Sequence, residues 1–323
     1  MICLGIEATA HTFGVGIVSD KGGVLADARD VFRPKAGWGL IPIEVASHHK
    51  EVWQDVLNSA LERAKLSLKD IGLIAFSQGP GLPPCLKVGL EVAKKLSSEN
   101  KIPIIPVNHC IGHIEIGKLQ AGLEDPVTLY VSGGNTQVIS LIDDYYRVFG
   151  ETQDIGIGNA LDKFGRETGL DFPAGPKIES LAKKGKYIEL PYVVKGMDLS
   201  FSGIVTEALR KSKNGIPLED LCFSLQETMF AMLTEVTERA LAHVGKNEVM
   251  LTGGVAANHR LGEMLDVMCR ERGARFRCVQ KEYSGDNGSM IGLVGMLMYK
   301  SGNIPKDIDI KPRQRTDDVE VTW

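Results

Sequence analysis

The feature that most restricts what this chain can fold into is a repeat of plan rather than of sequence. Residues 2–6 read as a buried strand, 7–12 as a small polar loop, 13–18 as a second strand, 19–23 as a turn and 24–31 as a third strand. The same succession returns at Val127: a strand over 127–131, the loop Ser132-Gly133-Gly134-Asn135-Thr136, a strand over 137–142, an Asp143-Asp144 turn and a strand over 145–150. Repetition of this kind points to two lobes of common design, divided as 1–125 and 126–323, with the final segment able to pack back on the first lobe. A length of 323 residues agrees, being too long for one ordinary core.

Helices separate the strands. Val52, Trp53, Val56, Leu57, Ala60, Leu61 and Ala64 make a one-sided helix over 47–66. A buried strand over 71–76 runs into the rigid turn Ser77-Gln78-Gly79-Pro80-Gly81, followed by a helix over 87–98 and a strand over 102–107. Later, 218–244 is a long helix with Leu221, Leu225, Met229, Met232, Leu233 and Val236 facing inward, then come a strand over 249–252, the loop Gly253 to Asn258 and a helix to Arg272. Alternation of this sort is that of an α/β protein.

Bulk properties exclude several classes. With 43% hydrophobic and 24% charged residues the chain is an ordinary globular one, and no apolar run is long enough to cross a membrane. Six cysteines without a C-x-x-C argue against a disulfide framework and for a reducing compartment; with no signal peptide visible, a cytoplasmic location is expected. A net charge of −4 gives no global attraction to nucleic acid, so a polyanion would need local clusters such as Lys183, Lys184 and Lys186, or Arg313 and Arg315, or a partner protein.

The chemistry gathers at Asn108-His109-Cys110-Ile111-Gly112-His113. Two imidazoles four residues apart lie one above the other on a helix and can grip one metal ion, although a solvated helix face has the same spacing. A zinc peptidase would need Glu directly after the first His; Cys110 stands there, and Glu115 belongs to another side of the helix. Asp286, in Tyr283-Ser284-Gly285-Asp286-Asn287-Gly288-Ser289-Met290, serves as an N-cap on the bland reading and as a third ligand on the functional one. Three loops of small polar residues, 7–12, 132–136 and 253–258, follow strands and suit the approach of backbone N–H groups to phosphate. The chain has no P-loop, and Gly156-Ile157-Gly158 lacks the third glycine of a dinucleotide fingerprint.

Taken in order, NHCIGH, YVSGGNT, GNALDKFGR, LSFSGIVT, LTGGVAANHRL and YSGDNGSMIG resemble the universal tRNA threonylcarbamoyladenosine transferases over nearly the whole chain. The length and the closing PRQRTDDVEV resemble the archaeal and eukaryotic branch of that family, the catalytic subunit of the KEOPS complex. The resemblance implies a two-lobed actin/Hsp70/hexokinase-like (ASKHA) fold with a nucleotide cleft between duplicated lobes. It implies transfer of a threonylcarbamoyl group from threonylcarbamoyl-adenylate to the exocyclic amine of the adenosine 3′ of the anticodon. It also implies one Fe or Zn ion on His109, His113 and Asp286, with Tyr130 nearby or ligating.

Carried over motif by motif, the adenine nucleotide (threonylcarbamoyl-AMP, ATP or an analogue) would meet Tyr130, Val131, Ser132, Gly133, Gly134, Asp162, Gly175, Glu179 and Asn258. The implied partners are tRNA and the KEOPS subunits, including a Bud-type kinase and a small dimerising subunit. One departure is local: Trp38-Gly39-Leu40-Ile41-Pro42 stands where relatives carry a Gly-Gly-Ile stretch before the His48-His49 pair. Residues alone leave two other functions open, an ATP-dependent small-molecule kinase of the same fold and a nucleotide-switched binding protein.

Overall fold

In the computed structural model, which describes residues 1–21, 23–34 and 39–323, β1 (Ile2–Glu7), β2 (Thr12–Ser19) and β3 (Gly23–Val31) pair antiparallel, with Glu7 opposite Gly14 and Gly14 opposite Arg29. Gly22 of the expected turn and Trp38 of the Trp38 to Pro42 departure lie outside the described residues. After α1 (Pro42–Ala64), β4 (Leu73–Gly79), α2 (Pro83–Asn100) and β5 (Ile104–Asn108) complete the sheet β3-β2-β1-β4-β5, the last two strands parallel to β1. Both helices start on proline, whose fixed φ suits the first turn, one turn earlier than the apolar spacing alone predicts.

α3 (His109–Ala121) follows β5 without a loop. β6 (Val127–Val131), β7 (Thr136–Ile142) and β8 (Tyr145–Glu151) repeat the meander, turning at Asp143 and Asp144 with φ of 48° and 63°. Then come α4 (Ile157–Glu167), α5 (Gly175–Ala182), the small hairpin of β9 (Val194–Lys195) and β10 (Asp198–Leu199), α6 (Ser202–Lys213) and α7 (Leu218–Val244). β11 (Glu248–Thr252), α8 (His259–Glu271) and β12 (Arg275–Cys278) close the second sheet, and α9 (Lys281–Ser284) and α10 (Gly288–Ser301) follow. Its order, β12-β11-β6-β7-β8, is that of the first sheet traced from the other edge, so the duplication covers both whole sheets.

The chain divides into two compact units, one of Met1–Ile116, Asp143–Tyr146 and Gly285–Trp323, the other of Gly117–Ile142 and Arg147–Ser284. The sequence places the division at 125/126; packing places it inside α3, because Gly117 already lies against Met250 and Val279 of the second unit. In the second unit the six residues expected to line α7 are all fully buried, and the helix packs against α5, α6 and α8.

In the first unit, Leu4, Ile6 and Ile17 pack with α1 and α2, and the opposite face of β1 and β2 offers glycine to α10. A Cβ on Gly5 would stand 2.2 Å from Gly288 O, and one on Gly16 would stand 2.1 Å from Ser289 N. Backbone meets backbone there. Gly16→Ala is therefore expected to force α10 outward and to cost about 1–3 kcal/mol. Gly203→Ala, where the added methyl meets open space, should be neutral or stabilising; urea titration of both variants makes the comparison.

His49 of α1 is fully buried 5.5 Å from Phe13, with Nε2 2.9 Å from Ala10 O, and burial pushes its pKa down to about 4. The folded imidazole is neutral while the unfolded one titrates near 6.5, so the unfolded chain takes up the proton first. Stability should fall as pH drops from 6.5 through 4, by up to about 3 kcal/mol. His49→Gln, which keeps a donor for Ala10 and does not titrate, should flatten that limb when melting is followed against pH.

Candidate metal centre and nucleotide loops

Asn108 decides where α3 begins. Its Oδ1 accepts the N–H groups of Cys110 at 2.9 Å and Ile111 at 3.3 Å, and its Nδ2 donates to Arg315 O at 3.0 Å. The helix therefore starts at His109, and His113 stands one turn above it, the two rings edge to face with centroids 4.7 Å apart. The third member comes from the far end of the chain. Asn287 caps α10 by accepting from Met290 N–H at 2.9 Å, and the preceding residue, Asp286, turns toward the pair.

Asp286 Oδ1 lies 3.3 Å from His113 Nε2 and 3.7 Å from His109 Nε2, and one ligand atom from each of the three falls within 4.8 Å of the others. Ligand atoms 2.0–2.1 Å from a tetrahedral metal would stand about 3.3 Å apart, so the donor set fits a first-row dication after shifts of an ångström or so. Two imidazoles and one carboxylate suit Fe or Zn better than Mg. Both histidines are buried, His109 to 5% and His113 to 1% exposure, directly beyond the C-terminal end of β5.

Electrostatics follow the geometry. Burial alone would lower the His109 pKa, but the Glu7 carboxylate and Asp286 outweigh it and raise it to about 9. Burial holds His113 below its ordinary value despite its bond to Asp286. Burial would raise Asp286, but the two imidazoles hold it well below the usual carboxylate range. Arg29 fixes the main chain here, donating to Asp286 O at 3.0 Å while paired to Asp27, which itself accepts from Ser289 N–H at 3.0 Å. Cys110 is buried, its thiol pushed up to about 12, so it offers no base. Glu115 is hydrogen-bonded to Tyr146.

The second unit gathers the other candidates. Val131 is buried at the end of β6, Tyr130 before it is 1% exposed, and in the first turn of α4 Ser132 O and Gly133 O accept the N–H groups of Gly158 and Asn159, both at 3.1 Å. Gly253, at φ 96°, lets the next loop in, since a Cβ there would stand 2.3 Å from Val131 O. Gly134 and Gly175 face open space.

The polar candidates also tie helices together. Asp162 accepts Ala174 N–H at 2.7 Å, with burial raising its pKa, and Glu179 accepts His259 N–H at 2.9 Å. Asn258 caps α8 through Arg260 N–H at 2.9 Å and donates to Gln226 at 3.0 Å. None is simply a solvated surface group.

A sequence model of the family described as "TsaD: tRNA N6-adenosine threonylcarbamoyltransferase" matches residues 24–293. The chain belongs to this family. Relatives called tRNA N6-adenosine threonylcarbamoyltransferase, from Thermococcus kodakarensis and Archaeoglobus fulgidus, are 56% and 54% identical over the whole of both chains. A probable bifunctional tRNA threonylcarbamoyladenosine biosynthesis protein of Methanobrevibacter smithii is 55% identical over all of this chain and 60% of its own.

Among solved structures, HypF of T. kodakarensis superposes with a TM-score of 0.66 at 16% identity, over 96% of this chain and 49% of that one. The activator of the Clostridium difficile 2-hydroxyisocaproyl-CoA dehydratase, with bound ADPNP, superposes at 0.56 with 11% identity, over 94% of this chain and 97% of that one. These likenesses carry the fold, which is of the ASKHA type. As a member of the threonylcarbamoyltransferase family the chain is a transferase acting on tRNA, and the family assignment favours that reading over a kinase or a nucleotide-switched binding protein of the same fold.

Asp27 and Arg29 carry no signal in the sequence, whereas Glu7, which the sequence places in the small polar loop 7–12, is a lone acid among apolar residues at the end of a buried strand. For the pair itself, His109→Ala and His113→Ala should each lose bound metal and, by leaving Asp286 short of a partner, some stability. Elemental analysis beside thermal melting checks this, and full occupancy in both variants would remove the pair from the site.

Proposed function

We propose that this chain transfers the threonylcarbamoyl group of threonylcarbamoyl-adenylate to the exocyclic amine of the adenosine 3′ of the anticodon, working in the cytoplasm within a KEOPS-type complex. The observation that carries this reading is the convergence of His109, His113 and Asp286 in a chain of this family. Bonding changes at one carbon: the C–N bond to adenosine forms, the C–O bond to phosphate breaks, the amine loses a proton and AMP leaves. The donor is a mixed anhydride and already activated, so the protein's task is to position two substrates and to stabilise charge. No Ser or Cys nucleophile is required.

His109, His113 and Asp286, with Tyr130, would hold one Fe or Zn ion. Such a dication supplies Lewis-acid stabilisation of the carbonyl or phosphate oxygens. Ser132, Gly133 and Gly134 would present backbone and hydroxyl donors to the phosphate beside Val131, and Asp162, Gly175, Glu179 and Asn258 would hold the nucleoside. Because Glu179 and Asn258 also bond to α8, nucleotide binding and the seating of that helix would be coupled.

The net charge of −4 argues for partners in tRNA capture, since phosphate neutralisation supplies most non-specific affinity. The exposed Lys183, Lys184, Lys186, Arg313 and Arg315 are too few to replace them. The bifunctional relatives, in which this chain accounts for 60% of the length, support work alongside a second protein, here a Bud-type kinase together with a small dimerising subunit. No helix among the described residues is long and apolar enough to cross a membrane.

The test is label transfer from threonylcarbamoyl-adenylate to unmodified tRNA, with and without partner subunits. We expect labelled tRNA and AMP in equal amounts, strong dependence on the partners, and loss of transfer in His113→Ala. Absence of labelled tRNA from the metal-loaded chain with its partners would sink the proposal, as would equal transfer by His113→Ala for the metal's part in it.

A further inference from the structure

A neutral imidazole has two nitrogens, and which of them carries the proton decides which can bind a cation. Glu7, the last residue of β1, is wholly buried. Its Oε1 is taken up by Thr9, accepting that residue's N–H at 2.8 Å and its hydroxyl as well. Its Oε2 lies 3.0 Å from His109 Nδ1. An ionised carboxylate only accepts, so the proton of that bond sits on Nδ1. Once a cation displaces the second proton of the ring, the lone pair is therefore on Nε2, the atom that faces Asp286 Oδ1 at 3.7 Å.

We propose that Glu7 is the positioning residue of this centre, holding the proton on Nδ1 so that His109 presents Nε2 to a divalent cation. The inference rests on the reading of His109, His113 and Asp286 as ligands. Charge supports it independently of the tautomer. Asp286 alone would leave a bound dication with one uncompensated positive charge at a largely buried site, and Glu7, relayed through the His109 ring, supplies the second negative charge. Glu7 makes no contact of its own with the cation; it acts through His109. Thr9 in turn keeps the carboxylate from rotating away, because both its donors engage Oε1. The loop 7–12, which reads in the sequence as a phosphate loop, thus spends its first and third residues on the orientation of His109.

The test uses Zn²⁺ as probe on the full chain, with affinity measured by chelator competition in the wild type, His109→Ala, Glu7→Gln and Glu7→Ala. We expect His109→Ala to lose zinc and Glu7→Ala to bind it about 10–100-fold more weakly. Glu7→Gln should fall between, since its carbonyl still accepts from Nδ1–H but brings no charge. Nitrogen-15 NMR of histidine-labelled, zinc-loaded wild type should show His109 protonated on Nδ1 and coordinated through Nε2, a signature that a merely space-filling Glu7 would not produce. Wild-type zinc affinity in Glu7→Ala, with His109→Ala still deficient, overturns the role of Glu7 alone. Coordination through Nδ1 does the same even if Glu7→Ala fails to fold. Wild-type affinity in His109→Ala overturns the metal reading itself.

Discussion

Everything at the cluster of His109, His113 and Asp286 depends on how closely α10 can approach β1 and β2. Gly5, Gly16 and Gly288 remove the side chains that would keep helix and sheet apart, and Cβ positions on all three would fall within 2.2 Å of backbone across the contact. A typical helix-on-sheet spacing would carry Asp286 away from His113; the glycine contact brings it to 3.3 Å. Gly112 plays a lesser part on α3, where a Cβ would stand 3.2 Å from Met290 Cγ. Small residues on four elements therefore set a distance that the charged residues exploit, and the charges do not set it themselves. Dispersion and close packing are stiff against such displacement, whereas an ion pair tolerates it.

Around this contact the polar groups form one continuous set of bonds within the first unit. Thr9 holds Glu7, Glu7 holds His109, and Asp286 faces both imidazoles. Arg29 and Asp27 on β3 hold the main chain that presents Asp286. A carboxylate buried as deeply as Glu7 would be costly without partners, and each of its oxygens has one. The second unit uses the same economy: Asp162, Glu179 and Asn258 each bond to a neighbouring helix, so the groups proposed to hold a nucleotide are fixed in place beforehand.

How far the sequence discloses this depends on whether a feature is local. The His109 and His113 pair is legible because four residues on a helix is a local relation, and Asn108 before it is a readable cap. The meander strands are legible from their apolar runs and turns. β12 is not: Arg275-Phe276-Arg277-Cys278 is a short edge strand whose exposed charges hide the pattern. α4 is legible in its spacing, since Ile157, Ala160, Leu161 and Phe164 stand at helical intervals, although its glycines also read as part of a nucleotide fingerprint. Asp286 is legible only as an alternative, N-cap or third ligand, which the family resemblance narrows, since nothing in its spacing links it to a pair 173 residues away. Glu7 is harder still, because its meaning arises only when the end of β1 meets the start of α3.

The split composition of the first unit has a bearing on biosynthesis. Its sheet and outer helices lie in Met1–Ile116, but its last stretch is Gly285–Trp323, with the whole second unit in between. A ribosome therefore releases β1 and β2 long before the helix that covers their glycine face. Until then that face has no cover from α10, and His109 and His113 have no Asp286 beside them. Arg315, which accepts from the cap of α3, emerges later still. Assembly of the three-residue cluster is thus a late event, and a chain cut short before Asp286 would carry the histidines without the centre.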